Sequence, residues 1–164
     1  QEFGNGVLLC AQKNLKLLIY SQIASYLHKV DLLENSNSKI KCYCGKCEII
    51  VVANKALGSF LCGCQDCRQA VKWAEFKGGQ KGEDLQHTIY VPSDILKVKG
   101  KENMKAFLLR EGGQSIRVYC VTCYSLLGVD FPVYNDRRFM FIGGHCVTDI
   151  DTSMDPAIAI NMVD

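Results

Sequence analysis

The chain has 164 residues, 48% apolar and 22% charged, with a formal net charge of +2. That composition excludes a disordered or fibrous protein and fits a globular domain with an extension; the Lys and Arg residues are scattered, so no nucleic-acid partner is predicted. A chain this long buries roughly 70% of its unfolded surface, so its ten cysteines are not needed as disulfides to hold a tiny core together.

The chain opens on Gln, as a truncated or processed product would, and Gln1–Phe3 is given no functional weight. The stretch "GVLLCAQKNLKLLIY" is interrupted by Gln12, Lys13, Asn14 and Lys16, too polar for a signal-peptide core or a membrane span. The expectation is an intracellular, cytoplasmic location, the nucleus being compatible, with no membrane association.

Leu8, Ala11, Leu15, Leu18, Ile19, Ile23, Leu27 and Val30 recur at steps of three and four, which predicts a helix over about residues 7–33. Its apolar face is expected to pack on the main body; self-association or a partner helix is the alternative. The polar stretch Glu34–Lys39 then reads as a linker. Residues 1–39 are thus expected to form a helical extension and linker, and residues 40–164 a β domain.

From Ile40 the texture changes to short strand-like runs: "CEIIVVA", "TIYV", "KAFLLR", "SIRVYC", "LLGVDF" and "RFMFI". The fold class expected is mainly β with an N-terminal α-helical extension. "KAFLLREGGQSIRVYC" predicts a hairpin in which Gly112 and Gly113 supply positive φ. Phe76–Gln86 reads as a polar, mobile loop.

Eight of the cysteines cluster: Cys42, Cys44 and Cys47; Cys62, Cys64 and Cys67; Cys120 and Cys123; Cys10 and Cys146 stand apart. Tetrahedral zinc with Zn–S of about 2.3 Å puts sulfurs roughly 3.8 Å apart, which C-x-C and C-x-x-C turns can span. A disulfide needs about 2.05 Å and a narrow torsion, which such short loops meet only with strain. Zinc is therefore predicted over disulfides, with an iron–sulfur cluster as the rival metal.

A structural site needs four protein ligands, and Cys42, Cys44, Cys120 and Cys123 are the natural four, tying the start of the β domain to the hairpin. Cys62, Cys64 and Cys67 remain, with no fourth cysteine in their own loop. Three protein ligands and an open position is the pattern of a reactive zinc. The alternatives are closure by Cys47, Cys146 or His145 as a second structural ion, or a redox pair of Cys62 and Cys64.

The segments "KCYCGKCEIIV", "CGCQDCR" and "VYCVTC" together resemble the glutathione-dependent formaldehyde-activating enzymes and centromere protein V, which share the Mss4-like fold. "YVPSDILKVKG" and "GGHCVTDIDTSMDP" look like the connecting strand and tail of that family, so the similarity runs over about residues 40–161. The resemblance implies the same structural quartet, and a second ion at Cys62, Cys64 and Cys67 that joins formaldehyde to the thiol of glutathione. The implied activity is that of a zinc-dependent carbon–sulfur lyase; the alternative is a non-enzymatic, zinc-stabilised protein-interaction module. Two departures stand out: Tyr124 replaces the family's usual Gly after the last cysteine, and "RQAVKW" lacks a usual glycine.

Arg68, beside Cys67, is the candidate for binding a substrate carboxylate, because its planar fork matches that group. Trp73 and Phe76 read as core residues first and as pocket lining second. His28 and His87 read as ordinary surface or core histidines.

Overall fold

The computed structural model describes residues 37–156 and 159–160. The helix expected over residues 7–33, with Cys10 and His28, lies outside the described residues. The remainder is mainly β: two sheets and one short helix.

The smaller sheet is antiparallel, in the order β10 (Val147–Thr148), β1 (Asn37–Lys41), β2 (Glu48–Val52), β5 (Ile95–Lys99). The larger has the order β11 (Ala159–Ile160), β3 (Gly58–Cys62), β4 (Gln86–Pro92), β9 (Arg138–Ile142), β8 (Leu126–Asp130), β7 (Ile116–Cys120), β6 (Met104–Phe107). It is antiparallel except where β11 runs parallel to β3. Each of the six runs expected to be strands contains one, although "KAFLLR" is strand only as far as Phe107.

β9 shows why these residues make sheet. Its alternate residues Phe139 and Phe141 join Ile40, Ile49, Val51, Ile89, Val91 and Leu127 in a core shared by both sheets. Met140 and Ile142 point the other way, into a second core with Leu126 and Val129 and with Cys67, Ala70, Val71 and Ala74 of a helix, α1 (Gln65–Phe76). The central strands are covered on both faces, so they read as nearly continuous apolar runs rather than as an alternation. Each large side chain fully buried this way contributes about 1.5–3 kcal/mol.

Three expectations need correction. Asn37, Ser38 and Lys39 belong to β1 and not to a linker: Asn37↔Val52 through Lys41↔Glu48 pair in register, and the backbone N–H of Lys39 donates to Asp149 Oδ1 at 2.6 Å. Pairing and the burial of Ile40 override the polar composition. The β6–β7 hairpin forms, but its connection runs from Leu108 to Ser115. Within it the Gly113 N–H donates to Arg110 O at 3.1 Å, closing a turn that needs positive φ only at Gly112 (+71°).

The third concerns α1, a helix where none was expected. Its signal was present: Cys67, Ala70, Val71 and Ala74 are spaced for one helical face, and the alanines let the helix lie close on the sheet. Between α1 and β4 the chain is irregular, as expected for the polar loop. Trp73 packs on Phe107, Tyr119 and Tyr124, with ring centroids 4.4, 4.9 and 5.9 Å away. Phe76 is 85% exposed, so it is neither core nor pocket wall.

Candidate metal centres and the adjoining cavity

Two turns bring the first cysteine group together. Cys42 leaves β1 into a tight loop in which the Gly45 N–H donates to Cys42 O at 3.0 Å, and Gly45 adopts the positive φ (+74°) that the turn demands. Cys120 ends β7, and the Tyr124 N–H donates back to Cys120 O at 2.9 Å. Tyr124 takes φ +53°, the conformation for which glycine is the usual residue, so the departure noted in the sequence sits on a strained backbone.

The sulfurs of Cys42, Cys44, Cys120 and Cys123 lie within 4.8 Å of one another. Cys42 and Cys44 Sγ are 3.4 Å apart, and Cys44 and Cys120 Sγ 3.6 Å. These separations suit four thiolates around one tetrahedral ion of zinc size and are far from a disulfide bond. The Cys47 N–H donates to Cys42 Sγ at 3.2 Å, the kind of bond that stabilises a metal-bound thiolate. Burial pushes the Cys123 thiol up, but the Ser125 hydroxyl, 3.2 Å from its Sγ, and neighbouring N–H groups outweigh this and bring it down to about 6.

The second group is Cys62 at the end of β3, Cys64 at the N-cap of α1 and Cys67 in its first turn, again with sulfurs within 4.8 Å of one another. With the thiols alone, the Cys64 thiol is pushed down to about 2, because Cys62 and Cys67 both hydrogen-bond to it and backbone N–H groups at the helix start add to their effect. Cys67 is correspondingly pushed up, chiefly by Cys62 and Cys64 and then by burial. The Cys62 thiol is also raised, chiefly by its hydrogen bond with Cys64. Without a cation one thiolate, at the helix N-terminus, is therefore favoured, and a bound cation would be needed to hold all three sulfurs as soft thiolate ligands. Either cluster is fit to hold a metal ion such as zinc.

Closure of the second group by Cys47, Cys146 or His145 is not what the structure shows. Among the described residues no His, Cys, Asp or Glu joins Cys62, Cys64 and Cys67. Cys47 lies by the first group, its Sγ 3.7 Å from Gly100 O and 3.6 Å from Asn103 O. Cys146 is buried and donates to Leu126 O at 2.9 Å. His145 is 2% exposed, and neither ring nitrogen has a hydrogen-bond partner among the described residues; burial lowers its pKa. His87 is half-buried on β4. All nine described cysteines are free thiols.

Instead the three cysteines open on a cavity of about 570 Å³. Its wall includes Tyr90 and Tyr134, whose rings meet edge-on with centroids 5.7 Å apart, and the β6–β7 connection from Arg110 to Ser115. Burial first, and then Tyr90, raise the Tyr134 phenol, which therefore stays a proton donor. Arg68 is half-buried on α1 and is not part of this wall. The guanidinium groups that do line it belong to Arg110 and Arg117, which sequence reasoning missed because both lie more than forty residues from the cysteine motif. Asp66 lies between them: it forms an ion pair with Arg110, and its Oδ2 is 3.7 Å from Arg117 Nη2.

No protein-family model matches the chain, and no curated protein matches it. Among solved structures, a Rhodobacter sphaeroides protein from a structural-genomics programme is similar at 20% identity over 74% of this chain and 99% of that one, with a TM-score of 0.44.

Proposed function

We propose that the protein is a zinc-dependent carbon–sulfur lyase acting on the adduct of glutathione, or another thiol, with formaldehyde or a small aldehyde. Cys42, Cys44, Cys120 and Cys123 hold a structural ion in this reading, and Cys62, Cys64 and Cys67 a reactive one. The observation that carries it is the three-cysteine group that no fourth His, Cys, Asp or Glu among the described residues completes, at the edge of a cavity of about 570 Å³. The resemblance of the cysteine segments to formaldehyde-activating enzymes supplies the reaction.

A zinc ion bound by three thiolates supplies a position for a substrate thiol and Lewis acidity toward a carbonyl oxygen. The chain's own residues do the rest. The Cys62, Cys64 and Cys67 thiolates hold the charge; Tyr134, kept protonated by burial, is a donor for an oxygen that gains negative charge as a C–S bond forms. The sheet and the β6–β7 connection wall the cavity on either side.

The test is adduct formation from thiol and aldehyde above the spontaneous rate, with zinc content measured in parallel. Two zinc equivalents and acceleration support the lyase. One equivalent and no acceleration, across several thiols and aldehydes, would leave a zinc-stabilised protein-interaction module. A cytoplasmic setting, where such thiols occur, belongs to the same proposal.

A further inference from the structure

Arg117 lies on β7, only 3% exposed, and lines the cavity. Among the described residues its guanidinium makes one hydrogen bond, from Nη1 to Ser115 O at 3.0 Å. The other contact, Asp66 Oδ2 at 3.7 Å from Nη2, is an ion pair too long for a hydrogen bond. A guanidinium has five N–H donors, and a buried cation is stable only when paired and well hydrogen-bonded. Arg117 lines the cavity, and among the described residues its guanidinium meets no acceptor besides Ser115 O and, at ion-pair distance, Asp66.

The neighbouring charges sharpen the point. Asp66 is shared with Arg110, which stands at the exposed rim together with Glu111. The deep cation therefore gets only part of one carboxylate, and the missing acceptors match a planar, two-oxygen anion entering the cavity.

We propose that Arg117, with Arg110 at the rim, binds a carboxylate of the ligand, so that the cavity takes a thiol that also carries a carboxylate. This rests on reading Cys62, Cys64 and Cys67 as a thiol-accepting centre and adds which part of the ligand selects it. Asp66 is the internal competitor: an incoming carboxylate shares or takes over its place on Arg117.

The experiment uses the full zinc-loaded chain labelled with ¹⁵N. Binding of 3-mercaptopropionate, of its neutral amide and of thiol-free butyrate is followed through the Arg117 Nε–H signal and by calorimetry. The carboxylate thiol should bind roughly ten- to a hundredfold tighter than the amide, as charge-assisted hydrogen bonds imply. R117Q should remove that preference, R110Q should reduce it, and D66N should tighten carboxylate binding. R110Q keeps the test open if R117Q fails to fold, since Arg110 is largely exposed.

Equal affinity for carboxylate and amide, or a preference untouched by R110Q and R117Q, would overturn the inference while leaving the thiol centre standing. If neither thiol binds better than butyrate, yet butyrate moves the Arg117 signal, the thiol centre fails and the carboxylate subsite survives. Tighter binding of inorganic phosphate than of butyrate would overturn the carboxylate assignment.

Discussion

The backbone N–H of Cys67 points at the sulfur of Cys64, 3.5 Å away, so the second cysteine of the C-x-C-x-x-C segment caps the helix that carries the third. One side chain thus starts α1 and offers a metal ligand. The spacing also places Asp66 in the first turn, where a negative charge suits the helix dipole and where its carboxylate reaches both cavity arginines.

Separating the two roles of Cys64 gives the first prediction. C64S keeps an oxygen cap but loses the thiolate, whereas C64A loses both. Both variants should lose one zinc equivalent by metal analysis. In metal-free protein, C64A should be less stable than C64S by about 1 kcal/mol in denaturant titration.

Tyr124 gives the second. Its φ of +53° costs about 1–2 kcal/mol relative to glycine, while its ring stacks on Tyr119 (centroids 6.1 Å apart, planes at 11°) and meets Trp73. Y124A keeps the strain and loses the ring; Y124G loses both. Y124G should therefore be more stable than Y124A by about 1 kcal/mol, measured by thermal or chemical unfolding. The opposite order would mean that the positive φ at this position carries no such cost.

Gly100 gives the third. A β-carbon there would stand 1.7 Å from the carbonyl oxygen of Lys46, and its φ is +69°. Both the carbonyl and the backbone of Cys47 belong to the loop that presents Cys42 and Cys44. G100A should destabilise the protein by more than about 4 kcal/mol, in the range of an exceptional single substitution. Loss of zinc from the four-cysteine site should accompany it, read by metal content.

Glu48 sets the fourth, a pH dependence. Lys99, at 2.7 Å, and Lys41, at 3.2 Å, hold its carboxyl below the usual range despite burial. A depressed folded-state pKa means that the contribution is fully present at neutral pH and fades as pH falls from the ordinary glutamate range through the lowered value. Because both lysines are substantially exposed, the contribution is about 1 kcal/mol or less. The stability gap between wild type and E48Q should narrow as pH drops below about 4 in acid titration of unfolding.

Much of the architecture was legible because it rests on local chemistry. Strands such as "CEIIVVA" and "RFMFI" announce themselves through β-branched and aromatic runs, and the quartet Cys42, Cys44, Cys120 and Cys123 through spacing that only turns of two or three residues can use. The helix from Gln65 to Phe76 was hidden because its buried stripe is made of Cys67, Ala70, Val71 and Ala74, small residues that give a weak hydrophobic signal. Arg68 was singled out by its place next to Cys67, yet the cavity wall holds Arg110 and Arg117.

The sequence by itself determined that thiols gather in two groups and that the body is mainly β, since ligand spacing and side-chain alternation are properties of a few neighbouring residues. Only the tertiary structure decided what surrounds the three-cysteine group. The β6–β7 connection and β7 bring Arg110 and Arg117 to Asp66 across more than forty residues of chain. Which charge meets which thiol is a consequence of strand order, and strand order is set by how two apolar sheet faces and one helix bury each other.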